Sequence, residues 1–202
     1  MPRNWSVTSS GDHFGVTNSM RKLLQGLLII ILCFGVISIP SCSKREAPNV
    51  VTDFRLSANQ VKAYMVITND IYPILAGIQV DAAYVLPTLD WVKGSFSQAF
   101  ASFKFQLNNG QWKSEANDCD DFARFGAFFA QYLHHNTQNR IKNTALCFGE
   151  FGYQKKDMSG HAINVFLYRD QGKVYIGFYE PQTCEVITLT KEEMSACQFY
   201  RF

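Results

Sequence analysis

The chain has 202 residues, of which 47% are hydrophobic and 14% aromatic, with a formal net charge of +2. That is enough apolar material for one domain with a real core. The scattered basic residues exclude an electrostatic grip on nucleic acid or an acidic partner, and no repeat or low-complexity tract points to a solenoid or a solvated tail.

The first feature along the chain is a targeting signal. Leu23 to Ile39 reads "LLQGLLIIILCFGVISI", almost free of polar groups, and Arg21-Lys22 precede it directly after Met20. A positive flank, an apolar stretch and a small residue before a cysteine have the order of a secretory signal. "SIPSCSK" sets Ser41 before Cys42, which resembles a bacterial lipoprotein signal with Cys42 as the lipidated first residue. Pro40 departs from the small residue usual two places before that cysteine, and an uncleaved anchor helix is the alternative. Both place the globular part outside the cytoplasm. The expected organisation is a signal segment over 1–42, with translation starting at Met20, a tether over 43–55, and one domain over 56–202.

Inside the domain, Ser57 stands three residues before Gln60, a capping-box pattern that opens a helix. "PTLDWVKGSFSQAFASF" predicts a second helix, with Pro87 as its start signal, and "LNNGQWKSEAND" predicts a polar loop built on Asn-Asn-Gly. A third helix opens in "NDCDDFARFGAFFAQYL". The later segments, "TALCFGEFGY", "HAINVFLY", "KVYIGFYE", "CEVITL" and "CQFYRF", read as strands. Helices first and strands later predict an α+β fold, helices packed on an antiparallel sheet.

The third helix carries Cys119 in its first turn. At 100° per residue, Ala123, Gly126, Ala130 and Leu133 fall within about 40° of the cysteine. Phe122, Phe125, Phe129 and Tyr132 widen that stripe on one flank and Ala127 on the other. Asp120 and Arg124 form an i,i+4 pair on the opposite side. Asn117 or Asp118 supplies the N-cap. A thiol at a helix N-terminus meets unpaired N–H groups and the positive end of the dipole, which favours thiolate. His134 and His135 sit at the far end and are expected to be exposed. Of the six cysteines, Cys33 lies in the signal and Cys42 at its end. With Cys119 free, at most one bridge joins two of Cys147, Cys184 and Cys197, and spacing does not choose the pair. No CxxC or HxxxH motif supports a zinc site.

"SGHAINVFLYRDQGKVYIGFYEPQ" reads as a hairpin. With "RDQG" as a four-residue turn, Leu167 faces Val174, Val165 faces Ile176, Ile163 faces Phe178 and His161 faces Glu180. The face carrying these apolar residues is expected to pack on the cysteine helix, with imidazole and carboxylate at its rim. A register slip of two residues would set His161 opposite Gln182 instead.

A thiol, a histidine and a carboxylate in one place can perform acyl chemistry. The thiolate attacks a carbonyl, the histidine moves the proton, and the acid orients the imidazole. The backbone N–H of Cys119 and the side chain of Gln111 are the candidate oxyanion donors. The order Cys, His, acid, with "NDCDDFA" opening a buried helix and "GHA" opening a strand, resembles the papain-like and transglutaminase-like superfamily. "CDDFA", "GHAINVFL" and "FYEPQ" look most like the C-terminal protease domain of the Marasmius oreades agglutinin type. That resemblance implies a papain-like fold over roughly Leu56 to Phe202, with Cys119 as nucleophile, His161 as base and acid, and Glu180 as orienting carboxylate. It implies an exported, lipid-anchored cysteine peptidase acting on a peptide or protein. The triad itself needs no cofactor, while the family's calcium dependence makes the acids around Cys119 candidate calcium ligands. Two alternatives stand beside the peptidase. One is amide chemistry on cell-wall peptide or transglutaminase-like acyl transfer. The other is a catalytically idle papain-like binding module, against which the retention of all three residues argues.

Overall fold

The structure, a computed structural model, describes residues 50–106, 118–136, 141 and 143–202. The chain divides into two compact units, Met1–Ser43 and Lys44–Phe202, and every described residue belongs to the second. The signal segment with Cys42, the loop with Gln111 and Asn117 therefore lie outside the described residues.

Strand β1 (Val50–Ser57) begins before the expected domain start and runs antiparallel to β3 (Ala83–Pro87). The Ser57 cap is present: its hydroxyl accepts from the Gln60 N–H at 3.3 Å while Gln60 Oε1 accepts from the Ser57 N–H at 2.8 Å. That box opens helix α1 (Ala58–Ala63). Strand β2 (Ala76–Ile78) follows. The second helical region starts after Pro87, which closes β3, with the Thr88 hydroxyl capping α2 (Leu89–Trp91). One π-helical turn, Val92–Phe96, joins α2 to α3 (Ser97–Gln106). The cysteine helix is α4 (Cys119–His135). Then come β4 (Ala145–Leu146), β5 (Phe148–Gln154), β6 (Gly160–Asp170), β7 (Lys173–Glu180), β8 (Glu185–Ile187), the short α5 (Lys191–Ser195) and β9 (Cys197–Arg201).

The described strands form two sheets, ordered β1-β3-β4 and β2-β9-β5-β6-β7-β8. The fold is α+β as expected, but the sheets are mixed rather than purely antiparallel, since β2 runs parallel to β9 and β3 parallel to β4. Both faces of the larger sheet are covered. On one side Phe151, Ile163, Val165, Leu167, Phe178 and Tyr200 meet Leu56, Val61 and Met65. On the other, Phe148, Phe166 and Tyr179 meet Phe96, Phe100, Phe129 and Leu133. Phe96 is the hub of this second core, with ring centroids 4.8 Å from Phe148 and 5.1 Å from Tyr179.

Two expectations for the hairpin change. Asp170 pairs with Lys173, so the turn holds only Gln171 and Gly172, both at positive φ (45° and 81°), the geometry of the tight turn that matches strand twist. The register is therefore shifted by two: Leu167 pairs with Ile176 and Val165 with Phe178. An even shift keeps each side chain on its face. The face toward the cysteine helix is nevertheless the opposite one. It carries Asn164, Phe166 and Tyr179, while the aliphatic face packs under β1 and α1. The reason is that Phe166 and Tyr179 bury large aromatic rings against the helices, while Leu56, Val61 and Met65 from β1 and the residues after it cover the aliphatic face.

Helix α4 is latched to the sheet by polar contacts. Asn164, fully buried, donates through Nδ2 to the Ala123 carbonyl at 2.6 Å and to the Gly149 carbonyl at 2.9 Å. The close approach needs Gly126, because a Cβ there would lie 2.1 Å from Asn164 Oδ1. Gln131, which helical spacing puts on the same side as Asp120 and Arg124, accepts from the Leu146 N–H at 3.0 Å and donates to the Leu146 carbonyl at 2.7 Å. His134 is buried rather than exposed, its Nε2 donating to the Thr144 carbonyl at 3.1 Å. Its place on the helical wheel, about 60° from Cys119, already favours burial over the end-of-helix reading. Tyr132, counted with the buried stripe, is exposed.

Candidate functional site

Cys119 is the first residue of α4, partly exposed, and Asp118 is the N-cap residue, with extended backbone and no side-chain cap hydrogen bond. His161 lies near the start of β6 and Glu180 at the end of β7. His161 Nε2 and Glu180 Oε2 are 2.7 Å apart, and the two side chains are only 11% and 13% exposed. The contact is diagonal, since β7 stops before a residue directly opposite His161.

Glu180 is itself held. Its Oε1 accepts from the Gln182 N–H at 3.0 Å, and its carbonyl accepts from the Cys184 N–H at 2.8 Å. Lys104 of α3 donates to the Pro181 and Gln182 carbonyls and lies over the Phe122 ring, 5.6 Å from its centroid. The turn after β7 is thereby fastened to two helices, and it fixes the carboxylate that fixes the imidazole.

Cys119 and His161 meet at one groove of about 270 Å³, lined also by Asp120, Tyr153, Gln198 and Phe199. Tyr153 pairs with His161 across β5 and β6, ring to ring at 5.7 Å. Burial pushes the Tyr153 phenol up to about 12, with the charges of Glu193, Glu180 and Cys119 adding to it. Phe199 packs on Gly152, where a Cβ would strike its ring at 2.2 Å. Sequence reasoning missed Tyr153, Gln198, Phe199 and Lys104. The pairing of β5 with β9 brings the first three to the groove, and neither strand carries a motif that announces it.

All four described cysteines are free thiols, so the bridge allowed among Cys147, Cys184 and Cys197 does not form. Burial raises Cys147 and Cys197, the latter to about 12, which keeps both protonated and inert.

Asp118, Asp120 and Asp121 present carboxylate oxygens within 4.8 Å of one another. A hydrogen bond with Asp118 raises the Asp120 carboxyl, with burial next, while Arg124 opposes the rise. Arg124 bonds Asp120 at 3.0 Å, the expected i,i+4 pair, and Asp121 at 3.2 Å as well. Three carboxylates this close together are an oxygen donor set of the kind a hard cation takes, and a cation would relieve the crowding of their charges.

A second cleft, about 290 Å³, is lined by residues of α4, β5 and β9 and contains Glu150. Burial raises the Glu150 carboxyl, and Arg201, whose Nη1 is 3.7 Å away, lowers it less. A raised carboxyl binds its proton more tightly in the folded than in the unfolded chain, so stability falls as pH rises from the ordinary carboxylate range through the raised value. Glu150→Gln should therefore raise the Tm by about 2–4 °C at neutral pH, with the gain vanishing near pH 4. Thermal melts at the two pH values check this.

Neither a protein-family model nor a curated protein matches this sequence. Several solved structures are similar to it, and two of them carry the comparison. One is a complex of PSL1a with E64, 24% identical, with a TM-score of 0.55 over 73% of this chain and 50% of that one. The other is the Polyporus squamosus lectin bound to the trisaccharide Neu5Aca2-6Galb1-4GlcNAc, 23% identical, with a TM-score of 0.55 over 73% of this chain and 49% of that one. At these identities the likeness is one of fold. This chain spans about half the length of the chains it matches.

The comparison corrects the functional expectation. The neighbours are Polyporus squamosus lectin (PSL1a) chains, and the likeness to them, which is one of fold, carries no peptidase activity to this chain. The assignment to a cysteine peptidase domain of the agglutinin type is withdrawn, and with it the hydrolase and the peptide substrate. What stands is the geometry: a held His161–Glu180 pair, and Cys119 on the rim of the same groove.

Proposed function

We propose that the domain is a binding module of papain-like architecture whose ligand sits in the groove beside Cys119 and His161. The observation that carries the reading is the mostly buried His161–Glu180 pair, 2.7 Å apart, at a groove that also holds two aromatic rings. A fixed imidazole and the polar ends of Asp120 and Gln198 can orient a ligand, while Tyr153 and Phe199 offer apolar faces. That mixture suits a sugar, which has both hydroxyls and C–H faces. The ligand class suggested by the lectin neighbours is accordingly a glycan, and E64 is a second probe because PSL1a was solved with it. Calorimetric titration of the full chain with the trisaccharide and with E64 tests the reading. Saturable binding of either probe supports it, and the absence of both contradicts it.

Cys119, His161 and Glu180 are thus proposed as site residues, while Gln111, expected as an oxyanion donor, lies outside the described residues. Calcium is the cation we propose for Asp118, Asp120 and Asp121. Millimolar calcium should raise the Tm by about 2–4 °C, and Asp121→Asn should abolish the shift. An equal shift in the variant would exclude Asp121 as a ligand.

Export and anchoring at a membrane are part of the same proposal, supported by the apolar stretch from Leu23 to Ile39 ahead of Cys42. Cys42→Ala should leave an uncleaved precursor or release the protein from membranes. An unchanged mature mass with unchanged partitioning would reject lipidation of Cys42.

A further inference from the structure

Six of the eleven exposed large apolar side chains among the described residues fall in one short segment: Ile67, Tyr72, Ile74, Leu75, Ile78 and Val80. Singly exposed apolar residues need no explanation, but a concentration of them does. Residues 67–80 carry one charged side chain, Asp70. The exposure does not come from a loose loop. The Ile74 and Leu75 N–H groups donate to the Cys197 and Gln198 carbonyls at 3.1 and 2.7 Å, and the Val80 N–H to the Phe202 carbonyl at 3.1 Å. Ile71 is fully buried, and β2 is paired with β9 on the edge of the larger sheet. The segment is fastened to the sheet on one side and offers its apolar side chains on the other.

We infer that this face docks on a lipid surface. The inference rests on the proposed membrane anchoring. Between Cys42 and Val50 the chain can span at most about 30 Å even when fully extended, whereas a domain of this size is about 40 Å across. A leash shorter than the domain holds it against the bilayer, where a nearly uncharged, Tyr-bearing face is stabilised at the headgroup boundary. No comparable concentration of exposed apolar side chains occurs elsewhere among the described residues.

The test uses the full chain in phosphatidylcholine–phosphatidylglycerol vesicles with and without brominated acyl chains. Leu75→Trp reports on the docking face. Lys173→Trp, at the β6–β7 turn four strands away, is the reference, and wild type supplies the tryptophan background. The added fluorescence of Leu75→Trp should fall about twofold in brominated vesicles, while that of Lys173→Trp should not. Equal signals from the two variants on vesicles that float with bound protein would overturn docking and leave anchoring intact. Protein that does not float with the vesicles would overturn both. A second copy of the chain on this face would instead appear as a dimer in detergent, with no bromine quenching, and that result also overturns the inference.

Discussion

Asn164→Ala should destabilise the domain by about 2–4 kcal/mol, because it strips two buried carbonyls of a donor and leaves a void under α4. The carbonyls are those of Ala123 in the cysteine helix and Gly149 in β5, so one amide group ties helix to sheet. For a domain of this size the Tm should fall by about 5–15 °C. Gly126→Ala should cost about 1–3 kcal/mol despite the better helix propensity of alanine, since its Cβ would lie 2.1 Å from Asn164 Oδ1. The combination is informative. Once Asn164 is alanine, the methyl at 126 has room, so the double variant should lose clearly less than the two singles together. Urea unfolding of the four proteins measures that coupling. Strict additivity would mean that helix and sheet do not meet as described.

The second large effect concerns the groove. His161→Ala should weaken ligand binding about 10- to 100-fold, because it removes an imidazole that lines the groove in a fixed orientation. Glu180 does not line the groove, and it acts through His161 and the turn that Lys104 clamps. Glu180→Gln keeps the shape and a hydrogen bond to the ring but loses the charge, so a smaller loss, about 3- to 10-fold, is expected. Titrations at two salt concentrations would separate a lost charge from a lost contact, since the pair is mostly shielded from solvent. Equal losses for both variants would make Glu180 a direct ligand contact. Unchanged affinity in His161→Ala would move the site elsewhere, with the Glu150 cleft as the next candidate.

Local chemistry was the legible part of the sequence. The Ser57–Gln60 box, the Asp120–Arg124 pair and the apolar stripe of α4 each depend on residues within one or two turns of each other, and spacing alone specifies them. The partnership of His161 with Glu180 could also be read, although by a register that was wrong: the true turn is two residues long, and a diagonal contact replaced the direct one. Side-chain parity survived the error because the shift was even. What could not be read was long-range. The choice of face depended on β1 and α1, whose cover for Ile163 and Val165 has no local signature. The groove wall depended on β9 returning beside β5, which carries Phe199 onto Gly152. The function was legible least of all. The same three residue types that suggested peptide hydrolysis occur here in a fold shared with lectin chains, and residue types alone do not choose between catalysis and binding.

The central claim is that a ligand occupies the groove at Cys119, and the thiol itself can report on it. Cys119 and Cys184 are both partly exposed, whereas Cys147 and Cys197 are buried, so iodoacetamide should reach the first two in the native chain. Among the four described cysteines, only Cys119 lines the groove. Labelling rates, read residue by residue by mass spectrometry with and without saturating trisaccharide, give the answer with an internal reference. The account predicts that the ligand slows Cys119 at least about tenfold and leaves Cys184 unchanged. A Cys119 rate that does not move at saturation would contradict it.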